Sequence, residues 1–437
     1  MSEPKTPGVP FRPAPFAYLF ERFPSFVQTF VYREAVEMIR QGMEPLCLSI
    51  RQPDDPADLA EHLGAEVFYL PPEKELRAEV DRRRADGSLT GPARKALPRH
   101  RSDPDSQRLF EAAWLGPALK KAGIRHIHAH FGGMAARTAW WLKKLYGIPY
   151  SFTGHANDIF CDNDFPVSNA ALAEAAAFVV TETDYARRWM EEKYPRLRGR
   201  AHRVFNGIDV DGFPPRAPVD GPHQILSVGR CVEKKGFRHL IEACRILHSE
   251  GLAFRCLIAG GGPLEAELQA QIDRAALGSC VTLLGPRPQA EIRRLLAASS
   301  IFALACVPEA GGGSDNLPTV VMEAMVCGIP TVSTRLAGVP EMITDGVDGL
   351  LAPPGDAIAL AAALRRLLQD AEFGGRLATA GQVSAREKFA VSTTTAQLKR
   401  LLVERAGIPI PEAARAFAPE LRRPPLWRRA IQALSRG

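Results

Sequence analysis

Two cations and two carboxylates in the second half of the chain have the types and spacing to hold an anion that carries a sugar. Arg230 and Lys235 fall in Gly229-Arg-Cys-Val-Glu-Lys-Lys-Gly236, between the apolar run Ile225 to Val228 and a helical pattern from Phe237 to His248. That order reads as a strand, a glycine turn and a helix start. Unpaired N–H groups at a helix N-terminus attract an anion, and a guanidinium and an ammonium add charge-assisted hydrogen bonds to phosphate oxygens. Without an anion, cations at this end would oppose the helix dipole. Asp315 and Glu323 are separated by seven residues, with Pro318 near the first turn of a second helix. Asp315 follows Gly311-Gly-Gly-Ser314, a segment that lets backbone approach a ligand, and its short carboxylate equally suits a helix N-cap. Glu323 lies among Val320, Val321, Met322, Ala324 and Met325, where a carboxylate needs a partner such as a ribose hydroxyl. The backbone of Asn316, Leu317, Thr319 and Val320 supplies further donors. Together these groups suit a diphosphate with a sugar attached.

The first half offers histidines. His155 and Asp158 follow an apolar run that ends at Thr153, where a parallel sheet presents its active edge; a loop histidine and a helix cap are the plainer readings. His126, His128 and His130 alternate along one strand face. No carboxylate or thiolate joins them at ligand spacing, so no metal site is expected. Asp162-Asn-Asp164 reads as a turn or cap.

The elements that must position these residues follow from alternation. Phe16 to Phe20, Pro45 to Ile50, Ile124 to Ala129, Pro149 to Thr153 and Phe178 to Thr181 read as strands, with helices such as Val27 to Gln41 and Met134 to Tyr146 among them. Gln224 to Val228, Phe254 to Ala259, Cys280 to Leu284, Ile301 to Leu304 and Thr331 to Ser333 repeat the pattern. Strand and helix in alternation imply α/β domains with parallel sheets. A chain of 437 residues is too long for one typical core. The expected division is 1–210, a linker at 211–222 rich in proline and glycine, 223–395, and a C-terminal part 396–437 whose helices and basic tail return to the first domain. Two facing doubly wound, Rossmann-like domains would put their strand C-termini along one interdomain cleft.

Hydrophobic content of 46% with 24% charged residues describes a soluble globular protein. A net charge of +6 weakly favours anionic partners, and the absence of zinc-finger spacing or an aromatic-basic motif argues against nucleic acid. Eight cysteines without a Cys-x-x-Cys pair suit a reduced, cytoplasmic compartment. Met1 to Pro15 has five prolines and no continuous apolar segment, so it does not read as a signal peptide. Leu295 to Val307 is too short to span a bilayer. The stretch Glu73 to Arg108 mixes acids with Arg82-Arg-Arg84, Arg94-Lys95 and Arg99-His-Arg101 and reads as a solvated face with a loop. It is also a candidate contact for an anionic membrane surface. The tail Leu426 to Leu434 sets apolar residues beside arginines, which suits either packing on the first domain or lying on a membrane.

The Gly229 to Gly236 and Asp315 to Glu323 segments, with Glu323-Ala-Met-Val-Cys-Gly-Ile-Pro-Thr-Val-Ser-Thr334, Gly338-Val-Pro-Glu341 and Asp348-Gly-Leu-Leu351, resemble retaining glycosyltransferases of family 4, which have the GT-B fold. Tyr18 to Phe30, His128-Ala-His-Phe131, Pro149 to Asp158 and Val204 to Asp209 are similar to blocks of the members that build exopolysaccharides such as colanic acid. The likeness runs from about Tyr18 to about Leu402 and thins between Glu73 and Arg108. It implies that Arg230 and Lys235 bind the donor diphosphate, Glu323 the ribose, and Asp315 and His155 the sugar, with Gly260 and Gly261 in a turn lining the nucleotide. Asp158 and His130 become candidate acceptor or sugar contacts. Asp315 departs from the family's usual glutamate at that position, which keeps the charge and shortens the reach. The implied activity is metal-independent, cofactor-free and retaining: transfer from a nucleotide diphosphate sugar, UDP ahead of GDP, to a glycan or lipid-linked glycan in polysaccharide assembly, in the cytoplasm or at the inner membrane face. A sugar-nucleotide epimerase on the same architecture and a non-catalytic nucleotide-sugar-binding protein are the alternatives.

Overall fold

The computed structural model describes residues 11–24, 28–53, 64–161, 163–214, 216, 223–310 and 313–410. The tail therefore lies outside the described residues, as does most of the expected linker.

Among the described residues the polypeptide forms two compact units, one built from the chain up to Val204 together with residues 394–410, the other from Phe205 to Thr393. The first contains β1 (Ala17–Arg22), β2 (Leu46–Arg51), β3 (Val67–Tyr69), β4 (Ile127–His130), β5 (Tyr150–Gly154), β6 (Val179–Thr181) and β7 (Ala201–Arg203). They make one sheet in the order β3-β2-β1-β4-β5-β6-β7, every pair parallel. A parallel sheet is buried on both faces, and the alternation along β1 shows how this one is covered. Ala17 and Leu19 face a core shared with the helices Gln107–Lys121 and Met134–Tyr146. Phe16, Tyr18 and Phe20 face another, with Val31, Ala35 and Met38 of the helix Thr29–Arg40 and Leu398, Leu401 and Leu402 of the helix Val391–Ala406.

The second unit contains β8 (His223–Val228), β9 (Phe254–Ala259), β10 (Val281–Gly285), β11 (Ile301–Leu304), β12 (Thr331–Thr334) and β13 (Leu350–Ala352), in the parallel order β10-β9-β8-β11-β12-β13. Phe205, Ile208 and Phe213 belong to this unit's core, together with Phe302, Leu304 and Phe389.

In each sheet the strand order reverses once, between β1 and β4 in the first and between β8 and β11 in the second. Crevices at such reversals, outside the strand C-termini, are where open parallel sheets bind ligands. The stretch Glu73 to Arg108 corrects the loop expected there: it holds the helices Glu73–Ala85 and Gly91–His100, anchored by buried Leu76, Val80, Ala93 and Leu97. No helix among the described residues is long and apolar enough to cross a membrane.

Candidate active site

At the reversal of the second sheet, three loops from β8, β9 and β11 pack backbone against backbone. Gly236, at φ +64°, follows the short turn Glu233–Lys235 and precedes the helix Phe237–Ser249; a Cβ there would stand 1.7 Å from the carbonyl oxygen of Ala305, just beyond β11. Gly260 is held against Gly229 in the same way, with 1.8 Å to its carbonyl. Two amides lock the arrangement, Cys231 N–H donating to Gly261 O at 2.9 Å and Val307 N–H to Lys234 O at 3.1 Å.

These loops set Lys235. Its stem runs along Gly229, where a Cβ would meet Cδ and Cε at 3.0 Å, and its ammonium reaches Asp315 Oδ2 at 2.5 Å. Burial alone would lower the Lys235 pKa, but Asp315 outweighs it and holds the pKa above the ordinary lysine value. Asp315 also accepts from the Cys306 thiol at 3.7 Å, and burial followed by this carboxylate pushes that thiol's pKa up. The helix expected after Pro318 is Thr319–Val326, with Pro318 at the N-cap position and no side-chain cap bond. Asp315 is therefore not the N-cap; its carboxylate is used by Lys235. Arg230 is exposed, and its charge lies near enough to Lys235 to lower that group's pKa slightly.

The helix Thr319–Val326 is apolar around nearly its whole circumference and almost entirely buried, so Glu323 is held in an apolar setting with its side chain nearly enclosed. Asn316 and Leu317 are buried at the entry to this helix, and Thr319 and Val320 form its first turn. Gly261 lines the β9 loop beside Pro286, while the Gly260 amide is spent on Gly285 O at 2.9 Å and is not a free ligand donor.

At the reversal of the first sheet lies a second polar cluster. The strand period sends His126, His128 and His130 to one face and Ile127 and Ala129 to the other. Ser151 Oγ lies 2.8 Å from both His126 Nε2 and His128 Nδ1, and Thr153 Oγ1 lies 3.0 Å from His128 Nε2. Burial lowers the His126 pKa to about 3, and burial together with the neighbouring histidines lowers that of His128 well below the ordinary imidazole value, which favours the neutral form of both rings. Glu34 is the group the chain order concealed. It accepts from Tyr18 Oη at 2.9 Å and from His130 Nε2–H at 3.0 Å, across 96 positions. A carboxylate does therefore join the histidines, and one donor atom each of Glu34, His128 and His130 lie within 4.8 Å of one another.

His155 stands just past β5. Its Nδ1–H donates to Glu182 Oε1 at 2.8 Å, its backbone N–H donates to Asp158 Oδ2 at 3.2 Å, and its Nε2 is buried with no protein hydrogen-bond partner. The ring sits between Phe131 and Phe30, with centroids at 4.4 and 4.8 Å. Burial by itself would lower the His155 pKa; Glu182, aided by Asp158 and Glu34, more than reverses this. Burial raises that of Asp158. Glu182 escaped the sequence reading because it follows the very short β6, twenty-seven positions from its partner.

Two parallel-sheet Rossmann-like units of this kind define the GT-B class, and solved glycosyltransferases share it. Anabaena HepE, crystallised with UDP, superposes with a TM-score of 0.63 at 18% identity over 89% of this chain and 99% of its own. A family model described as Glycosyltransferase Family 4 matches residues 27–211, and one described as Glycosyl transferases group 1 matches residues 222–370. The colanic acid biosynthesis glycosyltransferase WcaL of Escherichia coli (strain K12) is 32% identical over 80% of this chain and 89% of its own length. The amylovoran biosynthesis glycosyltransferase AmsK of Erwinia amylovora is 46% identical over 37% of this chain and 40% of its own. The chain belongs to glycosyltransferase family 4.

Proposed function

We propose that this glycosyltransferase takes a sugar from a nucleotide diphosphate donor, UDP-linked ahead of GDP-linked, and passes it with retention of anomeric configuration to a glycan or lipid-linked glycan acceptor in exopolysaccharide assembly. The observation that carries the donor half is the pairing of Lys235 with Asp315 beside exposed Arg230, at the point of the second sheet where a ligand is expected. As the glycosidic bond breaks, negative charge grows on the leaving diphosphate. Arg230 and Lys235 are the groups assigned to stabilise it, in place of a metal. Glu323 is assigned to the ribose, Asp315 to the sugar, the Asn316–Val320 turn and Gly261 to the nucleotide, and His155, Asp158 and His130 to sugar or acceptor hydroxyls. The UDP of HepE and the polysaccharide names of WcaL and AmsK support the donor and the pathway class.

Calorimetric titration with UDP and GDP, followed by product analysis with UDP-sugars, tests the reading. UDP affinity in the wild type that falls in Lys235→Ala is the expected result. A folded protein that binds neither nucleotide, or a Lys235→Ala variant with unchanged affinity, overturns it.

A further inference from the structure

The first unit holds a groove of about 660 Å³ between the helices Gly91–His100 and Met134–Tyr146. We infer that this groove is where the protein docks on an anionic phospholipid bilayer, with lipid phosphates on its cations and the glycerol region against its apolar floor.

The charge distribution is the first reason. Elsewhere in the stretch Glu73 to Arg108 every arginine but Arg84 is paired with an acid: Arg77 with Glu73 at 3.4 Å, Arg82 and Arg83 with Glu79, Arg101 with Asp81 at 2.7 Å, and Arg108 with Glu111 at 2.9 Å. Along the groove the pattern stops. Arg94, Lys95, Arg99 and Lys144 are exposed and carry no ion pair among the described residues, and no carboxylate lines the cavity. Its one titratable member with an acid partner is His100, 2.8 Å from Asp103. Four cations left uncompensated on one concave surface repel one another, and an anion relieves that repulsion.

The second reason is the shape of the helix that carries them. Ala93 and Leu97 turn inward and fix the helix Gly91–His100 to the unit, which leaves Arg94, Lys95 and Arg99 on its outer side. Its N-terminus, at Thr90 and Gly91, opens into the same groove without a side-chain cap. Bare amides there add to the attraction for phosphate oxygens.

The third reason separates a lipid from a freely soluble anion. The floor is apolar, formed by Trp141, Leu145 and Ala96. Lys144 lies over the rings of Trp140 and Trp141 at 4.6 and 5.1 Å. The apolar floor gives the glycerol region of a lipid a surface to rest on, and lipid phosphates presented as a surface can meet all four cations together. The assignment is independent of the donor site, so it stands or falls without UDP binding.

The test uses the full chain and vesicles of phosphatidylcholine with or without phosphatidylglycerol. Wild-type protein should sediment with the anionic vesicles at low salt and be released as salt screens the attraction. A triple variant Arg94→Gln, Lys95→Gln, Arg99→Gln should lose about a hundredfold in partitioning, whereas Lys120→Gln, Lys121→Gln, Arg125→Gln, which removes the same charge from exposed positions outside the groove, should lose much less. Equal losses, or no vesicle binding by the wild type, overturn the groove as the docking site. If the groove variant loses affinity for inorganic pyrophosphate in solution as steeply as for vesicles, the groove is a soluble-anion site and the bilayer assignment falls. All substituted side chains are exposed, and matching unfolding midpoints confirm that the variants are folded.

Discussion

An ammonium has three donors, and one of those on Lys235 is taken by Asp315 before any phosphate arrives. Replacing Lys235 by alanine removes the donors that remain for phosphate and strands Asp315 in a largely enclosed setting. UDP affinity should drop about 10- to 100-fold, the worth of one or two charge-assisted hydrogen bonds, as read by calorimetry. Asp315→Asn acts in the opposite sense on the nucleotide: it releases the ammonium, so UDP affinity should hold or rise while turnover falls. Asp315→Glu, which keeps the charge, should retain activity. An Asn variant with wild-type turnover would take Asp315 out of sugar contact. The His155–Glu182 pair carries a pH dependence with a definite sign. The folded-state pKa of His155 is raised, so the stability this pair contributes is fully present below the unfolded value of about 6.5 and is lost as pH climbs through the folded value. Removing the acid in Glu182→Gln leaves burial as the dominant influence and should carry the pKa of the ring below the ordinary imidazole range. Ring-proton NMR would show the crossing, and the wild type's advantage in unfolding midpoint should shrink as pH rises from about 6.5 through the raised folded value. A variant ring that titrates as in the wild type would mean that Glu182 does not set the charge of His155.

The elements place these residues through contacts that tolerate little change, and Gly236 is the clearest case. Its positive φ and the Ala305 carbonyl in the place of a Cβ mean that Gly236→Ala must move either the β8 loop or the β11 loop. A loss of about 2 kcal/mol or more in denaturant unfolding is expected, together with weaker UDP binding, because the displaced loop carries Lys235. Full stability in that variant would show that the loops yield easily. The same elements show what the chain made legible. Every central strand was visible as an apolar run because both of its faces are buried, whereas the strands that escaped notice, β3, β7 and β13, are three-residue pieces at sheet edges with a single neighbour each. The helices of the stretch Glu73 to Arg108 were hidden for a related reason: each buries only two side chains, too few to mark a period. In the candidate site, Lys235 and Asp315, which the structure pairs, carry local marks in the sequence, a glycine turn and a helix start, and Arg230 and Glu323 carry marks of the same kind. Glu34 and Glu182 were not legible. What makes them important is the adjacency of β1 with β4 and of β5 with β6, which brings distant acids beside His130 and His155.

At the scale of the whole molecule, two units with separate hydrophobic cores predict separable unfolding. The second unit's core takes in Phe205 and Ile208 near its start in the chain and Phe389 near its end. Phe205 packs edge-on against Phe389 at 5.1 Å, and Ile208 N–H donates to Phe389 O at 2.8 Å. The residues proposed to hold the donor all belong to that unit, while Trp114, Trp140, Trp141 and Trp189 all belong to the first. Tryptophan emission therefore reports the first unit once Trp427, outside the described residues, is replaced by phenylalanine. A ligand that binds only the folded state at about a hundred times its Kd stabilises by about 2.7 kcal/mol, which for a unit of this size is a rise of roughly 5 to 10 °C. Scanning calorimetry with UDP should show one transition rising by that amount, and the emission-detected transition should move far less. If both signals rise together in one transition, the units unfold as a single cooperative block; if neither moves, the anion site around Lys235 does not hold UDP.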